Sequence, residues 1–232
     1  HRLVLRSPDA ESDPEEVRST EMIDYGNQPF MPAMTASCLQ TNRQKREVQV
    51  IMNWSFAHSF TLAANFHGGE LVANYPFDND GLGSVNSPSP DDDLFIYISE
   101  RYSEHNNPMW TNPSFYHGIT NGAAWYAIDG GMQDWDYRYQ GTNHITLEIG
   151  TKGPAYSQMP TYWSQNQESM LSYLETVLIG VRGIVTDAYT GQPLYATVSV
   201  VGRNHNMYTD PQVGDYHRML LPGTYQLRFQ AA

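Results

Sequence analysis

A chain of 232 residues, 40% hydrophobic and 12% aromatic, has enough apolar mass for a core and lies between one large domain and two small ones. Thirteen Lys and Arg against 25 Asp and Glu leave a formal charge of −12, which disfavours nucleic acid and anionic membrane as partners and suits cationic ligands. No apolar run reaches the roughly 18 residues of a membrane span, no signal-peptide pattern opens the chain, and the single cysteine, Cys38, excludes an internal disulfide framework.

Residues 1–40 carry little regular pattern, and Pro8 to Glu16 reads as an acidic solvated segment. A first helix is predicted over Thr41 to Ala57, with Val48, Ile51, Met52 and Ser55 on one face and Arg43, Lys45 and Arg46 in solvent. Ser59 to Phe66 is short and apolar, the pattern of a buried strand, and it runs into His67-Gly68-Gly69. Residues 78–92 form a Gly, Ser, Pro and Asp loop, after which the Asp91–Asp93 run caps a helix bearing Leu94, Ile98 and Tyr102. Asn106 to Trp135 is a long aromatic loop, of the kind that more often carries function than not. His144 to Ile149 alternates as a strand, Ile145, Leu147 and Ile149 facing one way and Thr146 and Glu148 the other. Ser164 to Gln167 fits a capping box for a helix whose Met170, Leu171, Leu174, Val177 and Leu178 make an apolar face, ended by Gly180.

Beyond Gly180 the grammar becomes all-β. Short strands are predicted at Val181–Thr186, Ala196–Val201, Tyr216–Leu221 and Thr224–Phe229, with turns at Thr190-Gly191 and Pro222-Gly223. These readings give an α/β fold over 41–180 and a small β domain over 181–232, with fewer strands than the roughly seven of a typical sandwich.

His67, at a strand's carboxyl end before two glycines, is either a metal ligand or a hydrogen-bonded strand-end histidine. Glu148 is either a buried carboxylate that needs a partner or an edge-strand side chain in water. Trp125-Tyr126 is either a packing pair or the source of a hydroxyl for a ligand. Cys38 has no CxxC or basic neighbour and reads as a structural thiol. No P-loop, GxGxxG or GxSxG is present.

LAANFHGGELVANYPFD (62–78), GITNGAAWY (118–126), GGMQDWDY (130–137) and ITLEIG (145–150) closely resemble the zinc metallocarboxypeptidases of the regulatory group, carboxypeptidases E, N, D and M. GIVTDAYTGQPLYATVSV (183–200) and GDYHRMLLPGTY (214–225) resemble the transthyretin-like β-sandwich that follows their catalytic domain. The resemblance implies the C-terminal part of that α/β domain, with His67 as third zinc ligand and Glu148 as general acid/base. It makes Tyr126 the hydroxyl that closes over substrate, and Asp78 and Gln133 the contacts for a basic C-terminal side chain. Zinc is then the cofactor and peptide C-termini ending in Lys or Arg the partners, in a secreted, extracellular or periplasmic setting.

The family's first two zinc ligands form an HxxE motif upstream of the third, together with its substrate-carboxylate arginines, and residues 1–41 contain neither pattern. His67-Gly-Gly-Glu70 has the spacing, but its flanks assign His67 to the third site and leave Glu70 facing solvent. Two classes of function follow. The chain is part of an exopeptidase whose missing N-terminal half supplies the other ligands, or a non-catalytic relative that keeps the pocket as a binding surface.

Overall fold

The computed structural model describes residues 3–6, 46–79 and 81–231, the first four by backbone alone. Pro8–Glu16, Cys38, Arg43, Lys45 and the start of the first predicted helix lie outside the described residues. In chain order the elements are β1 (Leu3–Arg6), α1 (Arg46–Phe56), β2 (Leu62–His67), β3 (Leu71–Tyr75), α2 (Asp92–Ser103), α3 (Asn107–Trp110), β4 (Ile119–Asn121) and α4 (Gly122–Trp125). They continue with α5 (Met132–Trp135), β5 (Asn143–Ile149), α6 (Met159–Glu175), β6 (Val181–Asp187), β7 (Ala196–Val200), β8 (Asn206–Tyr208), β9 (Asp215–Arg218) and β10 (Leu227–Ala231). Two compact units result: the described parts of His1–Phe60, Val181–Arg218 and Thr224–Ala232 form one, and Thr61–Gly180 with Met219–Gly223 form the other.

The second unit is mixed α/β, built on a four-stranded sheet in the order β2-β5-β3-β4. β5 runs parallel to β2 and antiparallel to β3, with Glu148 opposite both His67 and Val72 and Thr146 opposite both Asn65 and Asn74. Residues opposed in register point to the same side, so the period of two divides the sheet into two chemically distinct faces. Leu62, Ala64, Leu71, Ala73, Tyr75, Ile145, Leu147 and Ile149 form the apolar face and pack on Leu94, Phe95, Ile98 and Tyr102 of α2. Asn65, His67, Asn74, His144, Thr146 and Glu148 populate the other face.

Two strand readings are corrected here. β2 is not buried: all six of its residues are at least partly exposed and Phe66 is 48% exposed. Among the described residues it is an outer strand with a neighbour on one side only, a position that apolar composition does not reveal. β3, for which the sequence suggested nothing, is the most buried strand of the sheet.

α2 follows the prediction, burying Leu94, Ile98 and Tyr102, although the Asp91 carboxylate accepts from Tyr137 Oη at 2.8 Å and makes no cap bond. α6 does not follow it. The helix begins at Met159, so Ser164 lies inside it and donates to Thr161 O rather than capping. Leu171, Leu174 and Leu178 are exposed, and the buried face is Asn166, Ser169, Ser172 and Tyr173. Small serines are buried on both helices, Ser99 and Ser103 on α2 and Ser169 and Ser172 on α6, and α2 and α6 are in contact. Asn166 Oδ1 accepts from Tyr102 Oη at 2.7 Å and Asn106 Nδ2 at 3.0 Å, satisfying a buried polar group. The first helix likewise buries Met52 and Ser55 but leaves Val48 and Ile51 exposed.

The first unit holds two three-stranded sheets, β1-β6-β9 and β10-β7-β8. Val185, Ala196, Val198, Met207, Tyr216 and Phe229 form its core. β1 pairs with β6 across Leu3↔Asp187 to Arg6↔Ile184, so the reading of residues 1–40 as pattern-free fails at its start. β8 is an additional strand, and the last predicted strand is displaced to Leu227–Ala231.

Candidate active site

His67 ends β2, exposed, directly opposite Glu148 in register on the polar face. The two glycines after it answer to a close approach. A Cβ on Gly68 would come within 2.9 Å of Thr151 O, and Gly69, at φ +155°, donates its N–H to Gly150 O at 2.6 Å. The loop after β5 therefore lies against the loop after β2, and both flank Glu148. Only the central position of β5 decides between the two readings of Glu148: the side chain is 8% exposed, and its Oε2 has no hydrogen-bond partner. Burial raises its pKa above the ordinary carboxylate value, opposed by the nearby His67 and Lys152 and assisted by Glu70. Glu70 does not face open solvent as expected. It is part-buried, and its Oε1 accepts from Leu71 N at 3.0 Å and Asn112 Nδ2 at 3.2 Å.

Asp78 follows β3 and is 3% exposed. Its Oδ1 accepts from Gln133 Nε2 at 2.8 Å and Asn74 Nδ2 at 3.4 Å, while Gln133 Nε2 also donates to Asn74 Oδ1 at 3.1 Å. Two glycines leave the carboxylate its room. A Cβ on Gly122 would fall 2.0 Å from Asp78 Oδ1, and one on Gly131 would fall 2.5 Å from Oδ2. Asp134 grips the backbone, its carboxylate accepting from Asp78 N at 2.9 Å and Asn79 N at 3.4 Å. Burial first, and the like charge of Asp134 second, raise the Asp78 pKa to about 7 against the two amide donors. No cation among the described residues enters this balance. The arrangement is a buried carboxylate held by neutral amide donors, a chemistry that a guanidinium or ammonium complements.

Sequence reading missed Asn74, Gly122, Gly131 and Asp134. The period-two position of Asn74 on the polar face and the Gly-Gly run before Gln133 are the signals in hindsight. Gly122→Ala or Gly131→Ala should each destabilise the protein by about 1–3 kcal/mol, the usual cost of overpacking, because the intruding atom meets a fixed carboxylate. Thermal unfolding checks this, and a variant as stable as the parent would show that Asp78 is free to move aside.

Tyr126 stands apart from these pairs. α4 is capped by Asn121, whose Oδ1 accepts from Ala124 N at 3.2 Å, and Tyr126 N donates to Gly122 O at 3.0 Å just beyond the helix. Its ring, 47% exposed, meets Trp125 edge-on at 4.7 Å. The structure thus brings His67 to Glu148 and Asp78 to Gln133, while the Tyr126 ring packs on Trp125.

Among the described residues no group of three or more His, Cys, Asp or Glu side chains is arranged to hold a metal ion. His67 is one donor, whereas a catalytic zinc ordinarily takes three protein ligands. The described residues alone do not fit a complete zinc site. No described helix is long and apolar enough to cross a membrane.

A family profile for zinc carboxypeptidase matches residues 23–169. Human carboxypeptidase D is 42% identical over 203 residues, which is 82% of this chain and 15% of that protein. The catalytic chain of mouse carboxypeptidase N is 38% identical over 197 residues, 80% of this chain and 43% of that one. Carboxypeptidase SOL1 of Arabidopsis thaliana is 40% identical over 185 residues, 78% of this chain and 38% of that one. The chain therefore spans less than half the length of each of these relatives. With its polar sheet face and this identity along most of its length, the chain belongs to the zinc carboxypeptidase family and to the regulatory group represented by carboxypeptidases D and N.

Proposed function

We propose that the chain is the substrate-reading and proton-transferring part of an exopeptidase that releases C-terminal Lys or Arg from peptides. The observation that carries this reading is the Asp78 carboxylate, 3% exposed, held by neutral amides and without a described cation. In the same reading Glu148 is the base that accepts a proton from the attacking water, and Tyr126 closes over the bound C-terminus. His67 is the one metal ligand of the described chain. The other ligands come from outside the described residues, an N-terminal half of the catalytic domain being the natural source. The strands of residues 181–232 are read as a transthyretin-like module, and the location as secreted, extracellular or periplasmic. The lone metal donor also supports a second reading, in which the pocket binds basic C-termini without cleaving them.

Both readings require Asp78 to bind a cation, and Asp78, Asn74, Gln133 and Asp134 all lie among the described residues. Its raised pKa sets the sign of the pH dependence. Between the ordinary carboxylate value near 3.8 and about 7, the folded protein holds a proton on Asp78 that the unfolded chain has lost. Stability therefore falls as pH rises through that window. A guanidinium must displace that proton, so affinity for n-butylguanidinium should rise about tenfold per pH unit up to roughly pH 7 and level off above it. Titration calorimetry of the chain at several pH values, in buffers of different ionisation heat, measures both affinity and proton release. Affinity that is flat across this range, or no binding, contradicts the reading.

A further inference from the structure

We propose that the buried pair Asp136–His144 consists of positioning residues for basic side-chain recognition, anchoring the segment that presents Gln133 and Asp134 to Asp78. The inference rests on the reading of Asp78 just given.

His144 and Asp136 are 1% and 3% exposed, and His144 Nδ1 lies 2.5 Å from Asp136 Oδ2. Their outer atoms, His144 Nε2 and Asp136 Oδ1, are buried without hydrogen-bond partners. Such a pair is a poor device for stability. Two polar groups have been taken out of water for a single hydrogen bond, and apolar side chains of similar volume usually do as well or better. What the pair supplies is a directional link. His144 lies on the polar face of β5, two strand repeats from Glu148, and Asp136 lies three residues beyond Gln133 and two beyond Asp134.

The segment between them needs such a link. α5 has four residues, too few to hold their own geometry, and it is preceded by Gly130 at φ +74° and Gly131. It passes directly into a π-helical turn over Asp136–Gln140, a conformation that recurs at functional sites. Tyr137 Oη on Asp91 and the Arg138 guanidinium 3.9 Å over the Phe77 ring hold the far end of the segment to other elements. Asp136 ties it, through its side chain, to the strand carrying Glu148. The same short segment then touches Asp78 twice, by Gln133 on the carboxylate and by Asp134 on the backbone.

The test compares n-butylguanidinium with neutral n-pentanol, bound to the chain itself and followed through the Gln133 side-chain amide resonance. Asp136→Leu combined with His144→Leu should leave the melting temperature equal or higher while lowering the preference for the guanidinium by about tenfold or more. Asp136→Asn alone keeps an acceptor for the ring N–H and should stay within about threefold of the parent. Where the leucine pair does not fold, Asp136→Asn with His144→Phe, uncharged and of ring size, replaces it with the same expectation. A folded double variant that keeps the parent's preference overturns the positioning role. A parent chain with no preference for the guanidinium overturns instead the reading of Asp78, and the inference with it.

Discussion

Asp78→Ala, in an assembly that contains the complete site, should reduce the preference for C-terminal Arg over Leu by on the order of a hundredfold. In the proposed reading the charge of the side chain is read in one place. Asp78 is 3% exposed, and its neighbours Asn74 and Gln133 are neutral donors that fix the carboxylate without neutralising it. A guanidinium that reaches this buried carboxylate forms a charge-assisted pair out of water, and such hydrogen bonds contribute roughly 1.5–3 kcal/mol. An apolar side chain leaves the same carboxylate either charged and unpaired or protonated, and both states forfeit that gain. Alanine removes the discrimination from both directions, so cleavage of Arg-ended peptides should fall while cleavage of Leu-ended peptides holds or rises. The loss should appear chiefly in KM, because in the proposed reading Asp78 contacts the substrate side chain and Glu148 the reacting water. Ratios of kcat/KM on matched peptides differing in the last residue measure it. An Arg-to-Leu ratio unchanged by the substitution removes Asp78 from recognition.

The parts of this site differ in how far the sequence discloses them. β5 is plain from its alternation, because a strand with one apolar and one polar face writes that period into consecutive residues. β2 is equally apolar and was misread, since nothing local distinguishes a strand covered on both sides from one at the edge of a sheet. The error on α6 has a related origin. Its leucines make the apolar stripe, yet the buried face carries Ser169, Ser172 and Asn166, the last paired with Tyr102 of α2, so that small size and polar pairing outweigh the area an aliphatic side chain would bury. β1 went unseen because its partner β6 lies far along the chain. Gln133 and Asp78 are 55 residues apart, so only resemblance to other sequences could join them beforehand. Asn74, Gly122 and Gly131 became visible once the Asp78 carboxylate had coordinates around which to measure space. His144 and Asp136 were invisible for the opposite reason: each residue type is unremarkable in its own segment, and only burial makes the pair unusual.

Glu148→Gln separates proton transfer from recognition, and its effect should be the largest of any single substitution in the site. Glu148 projects from the polar face of a central strand, beside His67, with Oε2 buried and unpartnered. Burial favours the neutral acid, and the raised pKa strengthens the carboxylate as a base near neutral pH. Glutamine keeps the volume and the acceptor oxygen while abolishing the ability to take a proton from water. Removing a positioned general base typically costs about 100- to 10,000-fold in rate, so kcat on Arg-ended and Leu-ended peptides should fall together by a factor in that range. KM should change little, and the Arg-to-Leu preference should survive, the reverse of the pattern expected at Asp78. Folding should be preserved, because an amide costs less to bury than an unpaired carboxylate in the same place. A full-site assembly carrying Glu148→Gln, compared with its parent in steady-state assays on both peptides, decides the matter. Turnover within a few-fold of the parent would assign the proton transfer to another group and leave Glu148 as part of the floor of the site.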